Sequence, residues 1–160
     1  MSLTVRRIEK SDNENLAQVI RKAMEDMDCA MNGTVYTDPN TDQMFECYQT
    51  ERTAYWVAEW NGELIGGSGI GEVNGEPETV CELQRMFLAA EARGKGIGKR
   101  LMELCLNFAK ESGYEVVYLE TFTPMTAARG LYEHVGFEYI ENPMGDTGHF
   151  SCDQFMIKRL

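Results

Sequence analysis

The sequence predicts an α+β fold in a single domain of 160 residues, with a mixed, mostly antiparallel central sheet flanked by helices. Segments of strand-like composition alternate with segments whose apolar residues recur at helical spacing. Asn61-Gly62 separates two strand segments and is a strong signal for a hairpin between antiparallel strands. Val80–Leu88 and Glu115–Thr121 enclose a helical segment, which predicts a strand–helix–strand crossover in the middle of the sheet.

The first half of the chain contains one clear helix and three strands. A strand over Thr4–Ile8 precedes Ser11-Asp12, which is a helix-cap signal. The helix that follows is indicated by apolar residues at helical spacing, which are Leu16, Val19, Ile20, Ala23, Met24 and Met27. A loop is predicted over Asn32–Thr41, then a short helix over Asp42–Thr50 and strands over Thr53–Trp60 and Glu63–Glu72. Glycines at 66, 67, 69 and 71 predict a bulge or a close backbone approach in the last of these strands.

The second half of the chain alternates strands and helices more regularly. Ile97, Leu101, Leu104, Cys105 and Phe108 lie on one face of the helix inside the crossover. After the strand over Glu115–Thr121, the predicted elements are a helix from Pro124 to about His134 and strands over Phe137–Ile140 and Phe150–Ile157. No repeat, linker or low-complexity segment interrupts this order.

Charge and hydropathy limit the possible partners. A formal net charge of −11 argues against a nucleic-acid partner, which requires a basic face, and favours cationic small molecules. No apolar run approaches the ~20 residues of a membrane span, so no membrane partner is expected. The polar segment Met1–Lys10 lacks the apolar core of a signal peptide, which predicts a cytoplasmic protein.

The cysteines and histidines do not form a metal-ligand pattern. The five cysteines are scattered without C-x-x-C spacing, and the only histidines are His134 and His149. We therefore expect reduced thiols and no metal. A nucleophilic pair of Cys152 and His149 is conceivable but disfavoured.

The stretch from Arg93 to Lys99 carries the clearest functional signal. Gly94, Gly96 and Gly98 allow a tight turn and a close ligand approach, and the helix behind them directs free N–H groups into the loop. Basic side chains crowd the same helix end, where an anion would relieve their unfavourable interaction with the helix dipole. The spacing fits neither a Walker A loop nor a dinucleotide fingerprint. We interpret the loop as a phosphate-binding site of another kind.

Two motifs identify the type of phosphate site. Arg93-x-x-Gly96-x-Gly98 resembles the pyrophosphate loop of the GNAT N-acetyltransferases, which bind acetyl-CoA. The segment from Ala128 to Phe137, ARGLYEHVGF, is similar to the A-x-x-L-Y-x-x-x-G-F segment of the same family. The two occur in the expected order with the expected elements between them. The resemblance covers roughly Val80 to Ile140 and implies a GNAT fold and an acetyltransferase activity.

The resemblance also implies where acetyl-CoA binds. The pyrophosphate would lie on loop amides, and the pantetheine arm would run beside the preceding strand. The implied residues are Met86, Phe87, Leu88, Arg93, Gly94, Lys95, Gly96, Ile97, Gly98 and Lys99. The family often places an asparagine where this chain has Met125, so a polar contact is missing or is supplied by Thr123. A homodimer is common in the family and is a possible assembly here.

The chemistry of amide formation assigns two catalytic roles. An amine with a pKa of about 10.4 is almost entirely protonated at neutral pH, so a base must take its proton before direct attack on the thioester. The resemblance places Glu82 in the position of that base and Tyr132 in the position of the acid that protonates the departing thiolate. Glu120, Asp153 and His149 remain alternative bases, and His149 and Asp153 are candidates for the acceptor pocket.

The expected function is therefore acetyl transfer from acetyl-CoA to the primary amine of a small molecule. Two alternatives remain open at this point. A non-catalytic acyl-CoA-binding or regulatory module would need neither Tyr132 nor Glu82, and a peptide or protein acceptor is not distinguished by any motif.

Overall fold

The computed structural model describes residues 2–160 and contains a mixed sheet of seven strands with helices on both faces. The strands are β1 (Leu3–Arg7), β2 (Ala54–Trp60), β3 (Glu63–Glu72), β4 (Val80–Leu88), β5 (Val116–Thr121), β6 (Glu138–Ile140) and β7 (Gln154–Arg159). The helices are α1 (Asn13–Asp26), α2 (Met44–Cys47), α3 (Ile97–Glu111) and α4 (Thr126–His134). Among residues 2–160, no helix combines the length and apolar character that crossing a bilayer requires.

The sheet has the order β1-β2-β3-β4-β5-β7-β6, and all of its neighbours are antiparallel except β4 and β5. The predicted crossover through α3 and the mostly antiparallel sheet are therefore confirmed. The parallel ladder is short, because only Val80–Glu82 pairs with Val116–Tyr118. Beyond Glu82 the two strands separate and leave an opening at their carboxyl ends, where ligands of parallel strands commonly bind.

The hairpin predicted at Asn61-Gly62 is confirmed by its backbone angles. Asn61 has φ 52° and Gly62 has φ 85°. Positive φ at both central residues is the geometry whose twist matches two antiparallel strands.

The core lies on both faces of the sheet because β2 is buried on both sides. Ala54, Trp56 and Ala58 pack in the cluster that contains the apolar face of α3. Tyr55 and Val57, which point the other way, pack against α1. Successive side chains of a strand alternate between faces, so this one strand joins the two halves of the core.

The last strand begins later than the sequence predicts. The prediction places it at Phe150–Ile157, whereas β7 runs from Gln154 to Arg159. Asp153 instead ends the preceding loop, because its carboxylate accepts hydrogen bonds from the backbone N–H and the hydroxyl of Thr123. The short helix predicted at Asp42–Thr50 is likewise reduced to α2, which follows a 3₁₀ turn that begins at Pro39.

Candidate functional site

The glycine-rich loop between β4 and α3 is open on the side that a ligand would approach. Gly94 and Gly96 have φ of 75° and 78°, and a Cβ atom built on either would have no neighbour within 4 Å. Gly96 directly precedes α3, so the first N–H groups of that helix face the loop. Arg93 fixes the loop to the strand by donating from Nη2 to the Leu88 carbonyl, 3.2 Å away. The loop thus offers backbone donors beside unfilled space, which suits a pyrophosphate.

The loop continues into an apolar cleft of about 270 Å³ between the carboxyl-terminal half of β4, the start of α3 and α4. The cleft gathers most of the predicted cofactor residues, namely Met86, Phe87, Leu88, Arg93, Gly94, Gly96, Ile97, Gly98 and Lys99. Met27, Met125, Ala127, Ala128 and Leu131 complete its wall. Its apolar wall and the free backbone N–H groups at its loop end fit acetyl-CoA, so the residues present suit this co-substrate.

Two predicted cofactor residues lie outside the lining of the apolar cleft. The Lys95 ammonium is placed over the ring of Trp60, 5.9 Å from its centroid. Thr123 is exposed and donates its hydroxyl to Asp153, 2.8 Å away. Thr123 and Asp153 therefore hold each other, and neither borders the cavities described below. The structure gives no support to a role for Thr123 as the replacement for the missing asparagine.

A small central cavity of about 50 Å³ adjoins the apolar cleft, because Met86, Phe87 and Met125 border both. The central cavity brings together the two predicted catalytic residues, Glu82 and Tyr132. They come from β4 and α4, elements that are far apart in the chain. Met125, which stands where the family often has asparagine, places a thioether at the junction.

Glu82 is a buried carboxyl group at the point where β4 and β5 separate. Its side chain accepts a hydrogen bond at Oε1 from Nε2 of Gln84, 2.7 Å away. Burial raises the pKa of Glu82 to about 8, although the hydrogen bond from Gln84 opposes this change. The charge of Glu120 on β5 raises the same pKa further. Glu82 is thus a carboxyl group that titrates near neutral pH.

Tyr132 lies on α4 with its ring against Phe137, at a centroid distance of 5.9 Å. The residue is buried, with 5% of its surface exposed, and burial raises the pKa of its phenol above the ordinary value. The phenol therefore keeps its proton at neutral pH. That is the protonation state that a general acid requires.

A polar cavity of about 370 Å³ also borders Glu82. Glu82, Gln84, Arg85 and His149 border both the polar cavity and the central cavity. Its remaining acidic side chains are Asp38, Glu72 and Asp146. The polar cavity is therefore rich in carboxyl groups, and it shares no lining residue with the apolar cleft.

His149 and Arg85 both contact Asp38 in the polar cavity. His149 Nε2 lies 2.8 Å from Asp38 Oδ2, and Arg85 Nη2 lies 3.2 Å from the same oxygen. Burial raises the pKa of Asp38, but the bonds to His149 and the Asn40 amide and the charge of Arg85 outweigh it. The net effect is that the pKa of Asp38 lies below its ordinary value.

Cys152 shows no sign of being a nucleophile. Burial raises the pKa of its thiol, which disfavours the reactive thiolate. The imidazole that would activate it, that of His149, is hydrogen-bonded to Asp38. Among residues 2–160, no three His, Cys, Asp or Glu side chains come together in a way that could hold a metal ion.

A bulge in β4 explains the position of Arg85, which sequence reasoning missed. Arg85 has φ 49°, a conformation that bulky residues rarely adopt, and the pairing with β3 shifts beside it. As a result Gln84 and Arg85 both border the polar cavity, although they are consecutive residues of a strand. The two adjacent polar side chains in β4, where successive residues should alternate between faces, are the signal that could have revealed this bulge.

The comparisons with known proteins agree with this geometry. Residues 20–137 match the Acetyltransferase (GNAT) family. The chain belongs to the GNAT family. The uncharacterized N-acetyltransferase YjgM of Escherichia coli (strain K12) is 39% identical over 160 residues, which cover 99% of this chain and 96% of the relative.

Solved GNAT structures share the fold. An acetyltransferase of the GNAT family from Staphylococcus aureus Mu50 has a TM-score of 0.85 at 20% identity, covering 99% of both chains. The structure of yncA from Salmonella typhimurium with its cofactor acetyl-CoA has a TM-score of 0.76 at 19% identity, covering 100% of this chain and 95% of that chain. At these identities the likeness shows the fold alone. The family match and the relative named as an N-acetyltransferase show more than the fold. The chain is an acetyl-CoA-dependent N-acetyltransferase of the GNAT family, and the non-catalytic alternative is set aside.

Proposed function

We propose that this GNAT acetyltransferase acetylates the primary amine of a small molecule by direct attack, with Glu82 as general base and Tyr132 as general acid. One observation carries the proposal. The buried carboxyl group of Glu82 borders the central cavity, which Tyr132 also borders, and it borders the polar cavity as well. A base in this position reaches an amine from the polar cavity while the thioester enters from the apolar cleft.

The apolar cleft and its glycine-rich loop would hold acetyl-CoA. Loop amides and the N-terminus of α3 bind the pyrophosphate, and Arg93 and Lys99 supply positive charge near it. Met86, Phe87 and Leu88 on β4 guide the pantetheine arm toward the central cavity. Acetyl-CoA supplies the activated acyl group, so no covalent enzyme intermediate is needed.

Glu82 then prepares the amine for attack. A cationic amine that enters beside Glu82 lowers the pKa of the carboxyl group from about 8, because positive charge favours the carboxylate. The ionised Glu82 takes one proton from the ammonium group, and the neutral nitrogen forms a bond to the acetyl carbonyl carbon. A base with a pKa near the working pH is efficient in this role.

Tyr132 completes the reaction at the departing sulfur. Its hydroxyl, which is protonated at neutral pH, donates a proton to the sulfur as the carbon–sulfur bond breaks. The second proton that the nitrogen loses on becoming an amide restores the phenol. The products are the N-acetylated acceptor, CoA and one proton, which Glu82 releases to solvent before the next cycle.

The polar cavity favours a small cationic acceptor. Its volume of about 370 Å³ is typical of small-molecule sites, and Asp38, Glu72, Asp146 and Glu82 give it an acidic wall. The net charge of −11 favours the approach of cations from solution. His149 borders this cavity and remains a candidate for acceptor contact, whereas Asp153 is bonded to Thr123. The cytoplasmic location and the homodimer stay predictions.

A thiol-release screen tests this proposal. The protein is incubated with acetyl-CoA and panels of amino acids, polyamines, aminoglycosides and peptides, and free CoA is measured. We expect release only with a small primary amine and a large loss in Glu82→Gln at neutral pH. Release with peptides alone would reject the small-molecule acceptor, and parental activity of the Gln variant would reject Glu82 as the base.

A further inference from the structure

A continuous chain of hydrogen-bonded side chains leads from Arg85 to Glu82. Arg85 Nη1 lies 2.9 Å from the Tyr48 hydroxyl, which lies 2.7 Å from Oε1 of Gln84. Nε2 of Gln84 lies 2.7 Å from Oε1 of Glu82. Asp38 anchors the far end through its contact with Nη2 of Arg85. These hydrogen bonds connect Tyr48, the residue that follows α2, with Arg85 in the bulge of β4.

The hydrogen bonds of this chain run in one direction. A guanidinium group can only donate, so the Tyr48 oxygen accepts from Arg85 and its single proton is directed to Gln84. Burial raises the pKa of Tyr48 to about 12, so this proton is present at neutral pH. In this arrangement the Gln84 carbonyl faces Tyr48, and its NH₂ group faces Glu82. The order of donors therefore sets the orientation of the Gln84 amide.

The orientation of Gln84 determines which form of Glu82 is stabilised. An N–H donor directed at Oε1 stabilises the ionised carboxylate. A reversed amide would present its oxygen and would require a protonated Glu82. We propose that Arg85, Tyr48 and Gln84 are positioning residues that keep a donor on Oε1 of Glu82, which stabilises the ionised base and leaves Oε2 to take the amine proton. This inference rests on the proposed role of Glu82 as base.

Glycine at position 71 provides the space that the chain needs. A Cβ atom built on Gly71 would lie 2.4 Å from Oε1 and 2.7 Å from Nε2 of Gln84. Gly71 is not among the residues with positive φ, so its backbone itself does not require glycine. The absence of a side chain at Gly71 therefore leaves room for the Gln84 amide.

Other ionisable groups surround Glu82 and act together with the chain. Burial and the charge of Glu120 raise its pKa, while Gln84 and Arg85 lower it. The other titratable groups that border the central cavity with Glu82 are Tyr132, His149 and Cys152, and those of the polar cavity are Asp38, Cys47, Glu72 and Asp146. The charge of Glu82 also acts on Tyr48 and Tyr118. If the hydrogen bond from Gln84 is lost, only Arg85 still favours the carboxylate. The pKa of Glu82 should then rise.

The test compares Tyr48→Phe, Gln84→Met and the parent. Tyr48→Phe keeps the ring that packs on Tyr55 at 5.1 Å but removes the hydroxyl. The matched control is Tyr114→Phe, since Tyr114 is also buried but bonds to the Arg52 carbonyl. The titration of Glu82 is followed by carbon-13 NMR of the glutamate carboxyl groups, with Glu82→Gln assigning its signal. The pH profile of kcat/KM is measured in parallel.

We expect the Glu82 midpoint to rise by about one pH unit in Tyr48→Phe and by at least as much in Gln84→Met, which removes the donor itself. The profile of kcat/KM should shift by the same amount, about tenfold in rate below the midpoint, and acetyl-CoA affinity should not change. Tyr114→Phe should behave as the parent.

A parental midpoint in both Tyr48→Phe and Gln84→Met would overturn the inference. If Tyr48→Phe does not fold, Gly71→Ala provides the second variant, because it displaces the Gln84 amide without touching Tyr48, and it should raise the midpoint as well. A parent that acetylates no amine would reject the proposed function. The NMR titration would still decide whether the chain tunes Glu82.

Discussion

Glu82 and Glu120 border the same cavity from neighbouring strands, and the charge of Glu120 raises the pKa of Glu82. Tyr118 donates a hydrogen bond to one oxygen of Glu120 and Thr147 donates to the other. Glu82, by contrast, accepts from the Gln84 side chain. The two carboxyl groups thus have different environments, which is a common way to divide acid–base roles between like residues.

We expect Glu120→Gln to lower the pKa of Glu82, because it removes the neighbouring negative charge. The profile of kcat/KM should then reach its plateau at lower pH than in the parent. A rise in KM alone would indicate that Glu120 binds the ammonium group instead. Measurement of kcat and KM between about pH 6 and pH 9 distinguishes an effect on the pKa of Glu82 from binding of the ammonium group. An unshifted profile would contradict the coupling.

Glu82→Gln should lower kcat/KM sharply at neutral pH, by about 10²–10⁴ as is usual for loss of a general base. The loss should diminish as the pH approaches the pKa of the amine, about 10.4, because neutral amine is then available without help. The measurement is a pH–rate profile with the best acceptor. A loss that stays constant across the range would show that Glu82 binds the acceptor rather than taking its proton.

The same variant should change stability with a defined sign. Folded Glu82 keeps its proton up to about pH 8, whereas the unfolded group has an ordinary pKa of 4.5. The stability linked to this raised pKa is complete below the unfolded value and declines as the pH rises through the folded one. Gln remains neutral throughout, so the Tm difference between variant and parent should be more favourable to the variant at about pH 9 than at about pH 5. An equal Tm difference at the two pH values would contradict a raised pKa of Glu82 in the folded protein.

Gly96→Ala tests the phosphate loop. The new Cβ would enter the open space of the loop, so acetyl-CoA affinity should fall by at least about tenfold. The positive φ of 78° adds a strain of about 1–2 kcal/mol that affects stability but not the ligand. Gly113→Ala is the matched control, since Gly113 has φ 87° and an equally open Cβ position beyond the end of α3. Calorimetric titration should show normal affinity in the control, and equal affinities in both variants would reject the loop as the phosphate site.

Tyr132→Phe should lower kcat by about 10²–10⁴ with little change in acetyl-CoA affinity, because only the proton for the departing sulfur is lost. The ring can still pack against Phe137. Steady-state kinetics with Tyr114→Phe as the control measures the effect. Turnover within a few-fold of the parent would show that Tyr132 only packs at this position.

Local patterns were sufficient to predict most of the fold. Asn61-Gly62 predicted the hairpin because both residues tolerate the positive φ that the turn needs. The apolar face of α3 and the strand–helix–strand crossover followed from periodicity alone. The start of β7 did not, because the bond between Asp153 and Thr123 joins segments that are 30 residues apart.

The candidate site likewise has one part that the sequence predicts and another that it does not. The glycine-rich loop is continuous in sequence, so its glycine spacing could be recognised without the structure. The polar cavity combines Asp38, Arg85 and His149, and the contact of His149 with Asp38 spans 111 residues. No short-range pattern encodes such a contact. The bulge at Arg85 depends on its partner strand, where glycines leave room for neighbouring side chains.

The short parallel ladder between β4 and β5 has a consequence for solubility. After Glu82, β4 presents a strand edge inside the sheet, with backbone groups that β5 no longer reaches. An exposed outer edge of this kind can recruit another chain and lead to aggregation. Here the unpaired part of β4 lies between two strands of the same sheet and borders the central cavity and the apolar cleft. The outer edges of the sheet are the short strands β1 and β6, of five and three residues. Among residues 2–160, the sheet thus ends in short outer strands, and the unpaired part of β4 lies inside the sheet, where it borders the apolar cleft.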